Sequence, residues 1–337
     1  MTRNEILLEG ITKEMLGIEL GPFHSPLVPK RSGYRSLGLD VFDLPRLREI
    51  ATGEISLTEG QVAQIEEVDL LGPAMDIERL VNDKGLLGKI DYIISSHNFE
   101  HFPDPIRFLQ GCANVLRPGG RLIMAIPDRR GCFDYFRPFS TTSSVLSAYA
   151  ENLKMPSPEM WLEGALLQSR RNINEHAVGS WNYSDPGNDV YSVADVLGAW
   201  KFYQEMRGNE KRSYIDAHCW VFMPSIFEII IRDLQHLELV SLRLDSISEA
   251  QGHEFYVRLV NDPVCSDDLE LNFMETRNTL LRRSIDEFRP AKSINDGIEA
   301  ERLRADCSAL RAELDSCYAS TSWRITAPLR ALRRLIG

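Results

Sequence analysis

The chain has 337 residues, enough for one large or two modest domains, and 43% of them are hydrophobic, which supports a sizeable packed core. Its formal net charge of −11 argues against general nucleic-acid binding, because phosphate contact needs a positive surface. No apolar run is long enough to span a bilayer, and the opening MTRNEILLEG lacks the long apolar core of a signal peptide.

In chain order, 6–16 reads as a short helix, and Leu16-Gly17-Ile18-Glu19-Leu20-Gly21 as a strand running into a turn. A second strand and its exit cover 36–43, and Val68-Asp69-Leu70-Leu71 is a short third. The stretch 89–128 reads as strand, crossover helix, strand. Residues 90–95 open it with β-branched and aromatic residues, as expected of a strand buried on both faces. Pro103-Asp104-Pro105 starts the helix, and Ile106, Leu109, Ala113 and Leu116 recur along one face. Pro118-Gly119-Gly120 is expected to cap that helix before a strand over 121–126. Such units give parallel strands with a right-handed crossover, and open α/β sheets hold ligands at the carboxyl ends of those strands.

After Asp128 the composition changes. Residues 129–142, RRGCFDYFRPFSTT, mix arginines with aromatics and suit either a lid over an acceptor or a hinge with snorkelling arginines. Helices are expected over 144–154, 160–167, 190–206 and 225–234, with a polar loop at 172–185 and late strands at 237–244 and 254–260. Residues 263–295 read as a partly helical linker. From Ala300 to Cys317 apolar residues alternate by three and four over about three heptads, which suits a weak homodimer. The tail 321–337 is basic and amphipathic, fit for anionic lipid or an acidic partner. The six cysteines, Cys112, Cys132, Cys219, Cys265, Cys307 and Cys317, make no C-x-x-C pair and fit small apolar roles in a reduced compartment. The expected location is the cytoplasm, with peripheral contact at the inner face of the membrane.

The segment SSHNFEHFPDP…VLRPGGRLIMAIPD resembles the "EH…L+PGG" segment of class I S-adenosylmethionine-dependent methyltransferases. That resemblance implies a Rossmann-like, mostly parallel seven-stranded sheet over 1–262, with a helical insertion at about 131–210 on the acceptor side and a C-terminal helical tail. It also implies S-adenosylmethionine as cofactor. Glu19-Leu20-Gly21-Pro22-Phe23 keeps the acid and first glycine of the family's "E/D-x-G-x-G" but has Phe23 at the second glycine. By the same resemblance Asp40 holds the ribose, with Asp43 as runner-up or helix cap. Asp76 holds the adenine amino group, Ile77 covers the ring, and Ser95, Ser96 and His97 line the methionine end. The stretch GPFHSPLVPK resembles a variant seen in methyltransferases encoded near polysaccharide genes, and the tail TSWRITAPLRALRRLIG resembles that of bacterial glycan-assembly proteins, glycosyltransferases included. They imply a sugar or glycan acceptor and a glycan-assembly partner.

A hydroxyl acceptor needs a base, and histidine titrates near neutrality. His101, His176 and His218 are the candidates, with His176 favoured for its place in the insertion. His97 and His101, four apart with Glu100 between them, would share a helical face and could hold a metal, but most methyltransferases with this motif carry none and none is expected. A competing reading, a non-catalytic methyltransferase-like docking subunit, draws on Phe23. A nicotinamide-dependent enzyme is disfavoured because no G-x-G-x-x-G opens the first crossover.

Overall fold

The computed structural model describes residues 2–185, 189–209, 212–262, 272–288 and Arg311. The expected heptad seam and basic tail lie outside these residues, Arg311 apart. Seven strands form the main sheet: β1 (Leu16–Leu20), β2 (Arg35–Asp40), β3 (Leu70–Leu71), β4 (Ile90–Ser96), β5 (Leu116–Pro127), and the later Arg243–Ile247 and Glu254–Val260. Numbered within this sheet their order is 3-2-1-4-5-7-6. The first five are parallel, and Glu254–Val260 runs antiparallel to β5. Isoleucines of β4 are buried throughout, as a strand covered on both faces requires. Gly17 of β1 lies against the Tyr92 ring, where an added Cβ would fall 2.0 Å from ring carbon.

The helix α5 (Pro105–Val115) begins as its sequence directs. Asp104 accepts from the Arg107 N–H at 3.1 Å, and Pro105 takes the first turn. Its end differs from expectation. Pro118-Gly119-Gly120 does not cap the helix but forms a bulge inside β5, where the partner of β4 advances from Leu116 at Ile90 to Arg121 at Tyr92. Gly119 sits at φ +76, and a Cβ on Gly120 would meet the Ile90 carbonyl at 3.0 Å. The helix carbonyls are capped instead by Asn261, whose Nδ2 donates to the Ala113 and Leu116 carbonyls at 3.0 and 2.7 Å. A residue 145 positions away from Leu116 does the capping, so local sequence could not show it.

The insertion after β5 carries the helices Thr142–Ala150, Pro158–Leu167 and Val196–Arg207. It also holds a three-stranded antiparallel sheet that the sequence did not suggest, from Ser169–Ile173, His176–Val178 and Val190–Ser192. The stretch expected as a loop therefore contains a hairpin. Its two turn residues, Asn174 and Glu175, have φ +49 and +67, as a tight two-residue turn demands. Residues 190–192, expected as helix, are strand because they pair with 169–171; Asp195 then caps the following helix at the Gly198 N–H. The strand expected at 237–244 begins at Arg243, and the helix expected over 6–16 is confined to Arg3–Leu7. The helix Phe273–Phe288 belongs to the first compact unit, Met1–Phe288. Leu280 is buried in the main core, and Arg277 pairs with Asp233 at 2.8 Å.

Candidate active site

The exits of β1, β2 and β3 form one half of the carboxyl edge. Gly21 is exposed at φ +58, and a Cβ there would stand 3.3 Å from Asn98 Oδ1, so the loops after β1 and β4 approach through a glycine. Asn98 secures that approach by donating to the Leu20 and Ser96 carbonyls at 3.3 and 2.9 Å. Glu19 is buried and accepts from the Leu27 and Val28 N–H groups at 2.8 and 3.1 Å. It shapes the loop rather than presenting a free carboxylate. Phe23 holds φ +39 and packs toward Leu47, Ala51 and Ile65, while Pro22 touches the Cβ space of Gly38.

Asp40 is half-buried at the end of β2. Burial raises its pKa, and one oxygen accepts from the Phe42 N–H at 3.0 Å. Asp43 is a helix cap, accepting from Arg46 N–H at 3.0 Å. Asp76 does not cap its helix; its carboxylate pairs with Arg79 at 2.9 Å on an open rim. Ile77 is wholly buried in the core and offers no surface to a ring. The exposed apolar side chains at this rim are Val41, Phe42 and Leu71.

The other half lies beyond β4 and is built from buried charge. Ser95 is fully buried and its hydroxyl has no hydrogen-bond partner among the described residues. Ser96 accepts from Arg3, and the His97 Nε2 meets Glu254 Oε2 at 2.7 Å. Burial pushes the Glu254 carboxyl up, but hydrogen bonds from His97 and Arg3 outweigh it and hold the pKa down at about 2. Residues 97–101 are not an α-helix. His97 has φ +53 and only Phe99–His101 forms a single 3₁₀ turn, so the expected helical face shared by His97 and His101 does not exist.

Instead His101 meets His218, with ring centroids 4.6 Å apart and nearly perpendicular. The strip before the helix Pro224–His236 brings His218 in. Its Cys219 and Trp220 N–H groups donate to the Glu100 carbonyl at 2.7 and 3.2 Å, and Trp220 Nε1 donates to the Phe102 carbonyl at 2.6 Å. Each imidazole has a carboxylate on Nδ1: Asp216 on His101 at 2.9 Å, Asp134 on His218 at 2.6 Å. Burial pushes both aspartates up and the hydrogen bonds from the histidines reverse it, so both carboxyls titrate below their ordinary range. Burial lowers the His101 pKa, but Asp216 and the Glu100 charge more than compensate and leave it raised. With ionised acceptors, Nδ1 carries the proton and Nε2 is left inward. Both Nε2 atoms stand 3.8 and 3.9 Å from Glu100 Oε1.

His176 lies apart on the exposed hairpin, with no ring hydrogen bond to a described residue. Two of the three expected bases are thus brought together and the third is not. Within 129–142 the arginines are held internally: Arg129 donates to the Tyr135 carbonyl at 2.7 Å, Arg130 meets Asp128 at 2.7 Å, and the buried Arg137 meets Asp134 at 2.8 Å and Glu163 at 3.1 Å. Asp134, Asp216 and Glu254 were not singled out from sequence. A D-x-H spacing at Asp216-Ala217-His218 was the one local signal for any of them.

Residues 61–124 match the methyltransferase-domain family, which spans β3 to the middle of β5. Together with the strand order 3-2-1-4-5-7-6, that decides the architecture. The chain has the class I S-adenosylmethionine-dependent methyltransferase fold. Among curated proteins it is similar to ubiquinone biosynthesis O-methyltransferases of Xanthomonas oryzae pv. oryzae, 28% identical over 128 residues, covering 32% of this chain and 53% of theirs. The chain therefore spans about half the length of the curated relatives it matches. Among solved structures it is similar to a protein from Pyrococcus horikoshii OT3 (14% identity, 76% of this chain, 85% of that one, TM-score 0.36). It is also similar to a SAM-dependent methyltransferase from Aquifex aeolicus (12% identity, 77% and 89%, TM-score 0.32). In this methyltransferase fold the residues present suit the cofactor. Gly21 permits close backbone approach, Asp40 keeps an oxygen for a diol, and the orphan Ser95 hydroxyl needs a partner.

Proposed function

We propose that the chain transfers the methyl group of S-adenosylmethionine to a hydroxyl of a sugar or glycan in cell-surface polysaccharide assembly. One observation carries the transferase reading. Gly21, Asp40 and the orphan Ser95 hydroxyl share one sheet edge, and the cluster of buried Glu100 with the partly exposed His101 and His218 begins five residues past Ser95. The bound cofactor supplies an electrophilic methyl on sulfur. The chain's own work is alignment and handling of the proton. Asp40 receives the ribose hydroxyls, and Gly21 lets the backbone approach. The proton of the acceptor hydroxyl is handled at His101 and His218, whose inward Nε2 atoms are kept in place by Asp216 and Asp134. Oxygen as acceptor is supported by the names of the Xanthomonas relatives. The glycan class is supported by the resemblance of residues 21–30 to methyltransferases encoded near polysaccharide genes and of the tail to glycan-assembly proteins.

Mass-spectrometric comparison of surface polysaccharide from strains with and without the gene tests the acceptor. Loss of one methyl increment on one residue type is expected, and an unchanged methyl content would sink the glycan reading. In the purified protein, His218→Ala should cut turnover with cofactor affinity kept, whereas His176→Ala should change neither. A second reading, a non-catalytic docking subunit, is favoured by Phe23, a bulky residue at φ +39 where the family has glycine. Calorimetric titration with S-adenosylmethionine separates the two, since absence of binding at millimolar cofactor leaves only the second.

A further inference from the structure

The Glu100 carboxylate has no exposed surface, and neither oxygen has a hydrogen-bond partner among the described residues. A buried carboxylate left in that state costs several kcal/mol unless a cation compensates it. The Nε2 atoms of His101 and His218 face Oε1 at 3.8 and 3.9 Å, too far for hydrogen bonds. One donor atom from each of Glu100, His101 and His218 falls in a group lying within 4.8 Å of one another. With metal–nitrogen and metal–oxygen bonds of about 2.1 Å, tetrahedral donors stand about 3.4 Å apart, so each contact closes by roughly half an ångström on binding. Both histidines already have the outer partner that metal-bound histidines use: a carboxylate on Nδ1 that fixes the tautomer and turns Nε2 to the ion.

We propose that Glu100, His101 and His218 form a three-ligand site for a divalent cation of the zinc, cobalt, iron or manganese class. Two imidazoles and one carboxylate favour such ions over magnesium or calcium, which prefer all-oxygen sets. His97 stands outside the set. Its Nδ1 is 3.8 Å from Glu100, but its Nε2 is held by Glu254 and its ring is tied into a separate cluster with Arg3. Three protein ligands leave coordination positions open, and His101 is the most exposed of the three, so an outside oxygen enters from its side. This deepens the proposed function. With the ion bound the two Nε2 atoms are ligands rather than bases: the acceptor hydroxyl sits on the ion, which lowers its pKa, and its proton passes to solvent water on the open side. That role rests on the transferase reading; ion binding rests on the cluster alone.

The test uses full-length, tag-free protein stripped with chelator, dialysed against cobalt(II) or zinc(II), and analysed for metal by mass spectrometry. One equivalent of metal per chain and a visible cobalt absorption band are expected. Glu100→Gln and His218→Ala should abolish both. Asp216→Asn, which removes only the outer partner of His101 and lies on an exposed side chain, should weaken binding about tenfold. His176→Ala should bind as wild type. Circular dichroism checks that each variant is folded, and if the buried variants are not, Asp216→Asn together with cobalt-shifted imidazole resonances of the wild type decides. Failure to retain metal, or retention undiminished in the folded variants, overturns the site. Calorimetry with S-adenosylmethionine in chelator runs alongside. Cofactor binding without metal binding removes this inference and leaves the transferase reading standing.

Discussion

The two halves of the carboxyl edge are built in opposite ways. The half after β1, β2 and β3 is made of short loops, a positive-φ glycine and a graded set of carboxylates, from the buried Glu19 through the half-buried Asp40 to the open Asp76, and each functional group sits within a few residues of its strand. The half after β4 is built around the buried carboxylates Glu100, Asp134 and Glu254, and its pairs join residues far apart in the chain: Asp216 is 115 residues from His101, Glu254 is 157 from His97, and Asp134 is 84 from His218. Water screens Asp43 and Asp76 in the first half, so they act alone and contribute little to stability. In the second half Glu100, Asp134 and Glu254 are buried, so loss of a partner to one of these is costly.

That contrast can be broken by substitution. Asp134→Ala leaves His218 and the buried Arg137 without their common carboxylate and should destabilise the fold by roughly 4 kcal/mol. Urea denaturation reads this, and a loss as small as that of a surface aspartate would show that the interior is wetter than described. Acid should act next most strongly, through Glu254. Its folded pKa of about 2 lies below the ordinary 4.5. Its contribution, roughly 3 kcal/mol, is therefore complete above about pH 5 and is lost as pH falls toward 2. Unfolding midpoints of wild type and Glu254→Gln should converge across that interval; parallel curves would remove Glu254 from the account.

The open half should respond in binding rather than stability. Asp40→Asn is expected to weaken S-adenosylmethionine about tenfold, equivalent to about 1.4 kcal/mol, with the urea midpoint nearly unchanged. Calorimetry checks the first and denaturation the second. Asp43→Ala should do the reverse on a smaller scale. Loss of its cap on the Arg46 N–H should cost about 1 kcal/mol of stability and leave cofactor affinity alone. If Asp43→Ala instead reduces affinity and Asp40→Asn does not, the two roles are exchanged.

Much of this molecule was legible in its sequence, and the legible parts share a cause. The β4–α5–β5 unit, the Asp104 cap, the Asp43 cap and the last strand Glu254–Val260 follow from neighbouring residues, because alternation, capping and burial are local instructions. Elements whose partners are distant were misread. Residues 190–192 look helical but pair as strand, and Pro118-Gly119-Gly120 looks like a helix cap but makes a bulge while Asn261 caps the helix. The family resemblance gave Asp40 as a candidate, and residue type gave the histidines. Which histidines meet was decided by packing of the 218–223 strip against Glu100 and β5, and that left His101 and His218 together and His176 outside. The sequence thus determined the sheet and the chemistry available at its edge. Only the tertiary structure determined which charges are buried together, because burial and pairing are properties of the folded interior and not of any stretch of chain.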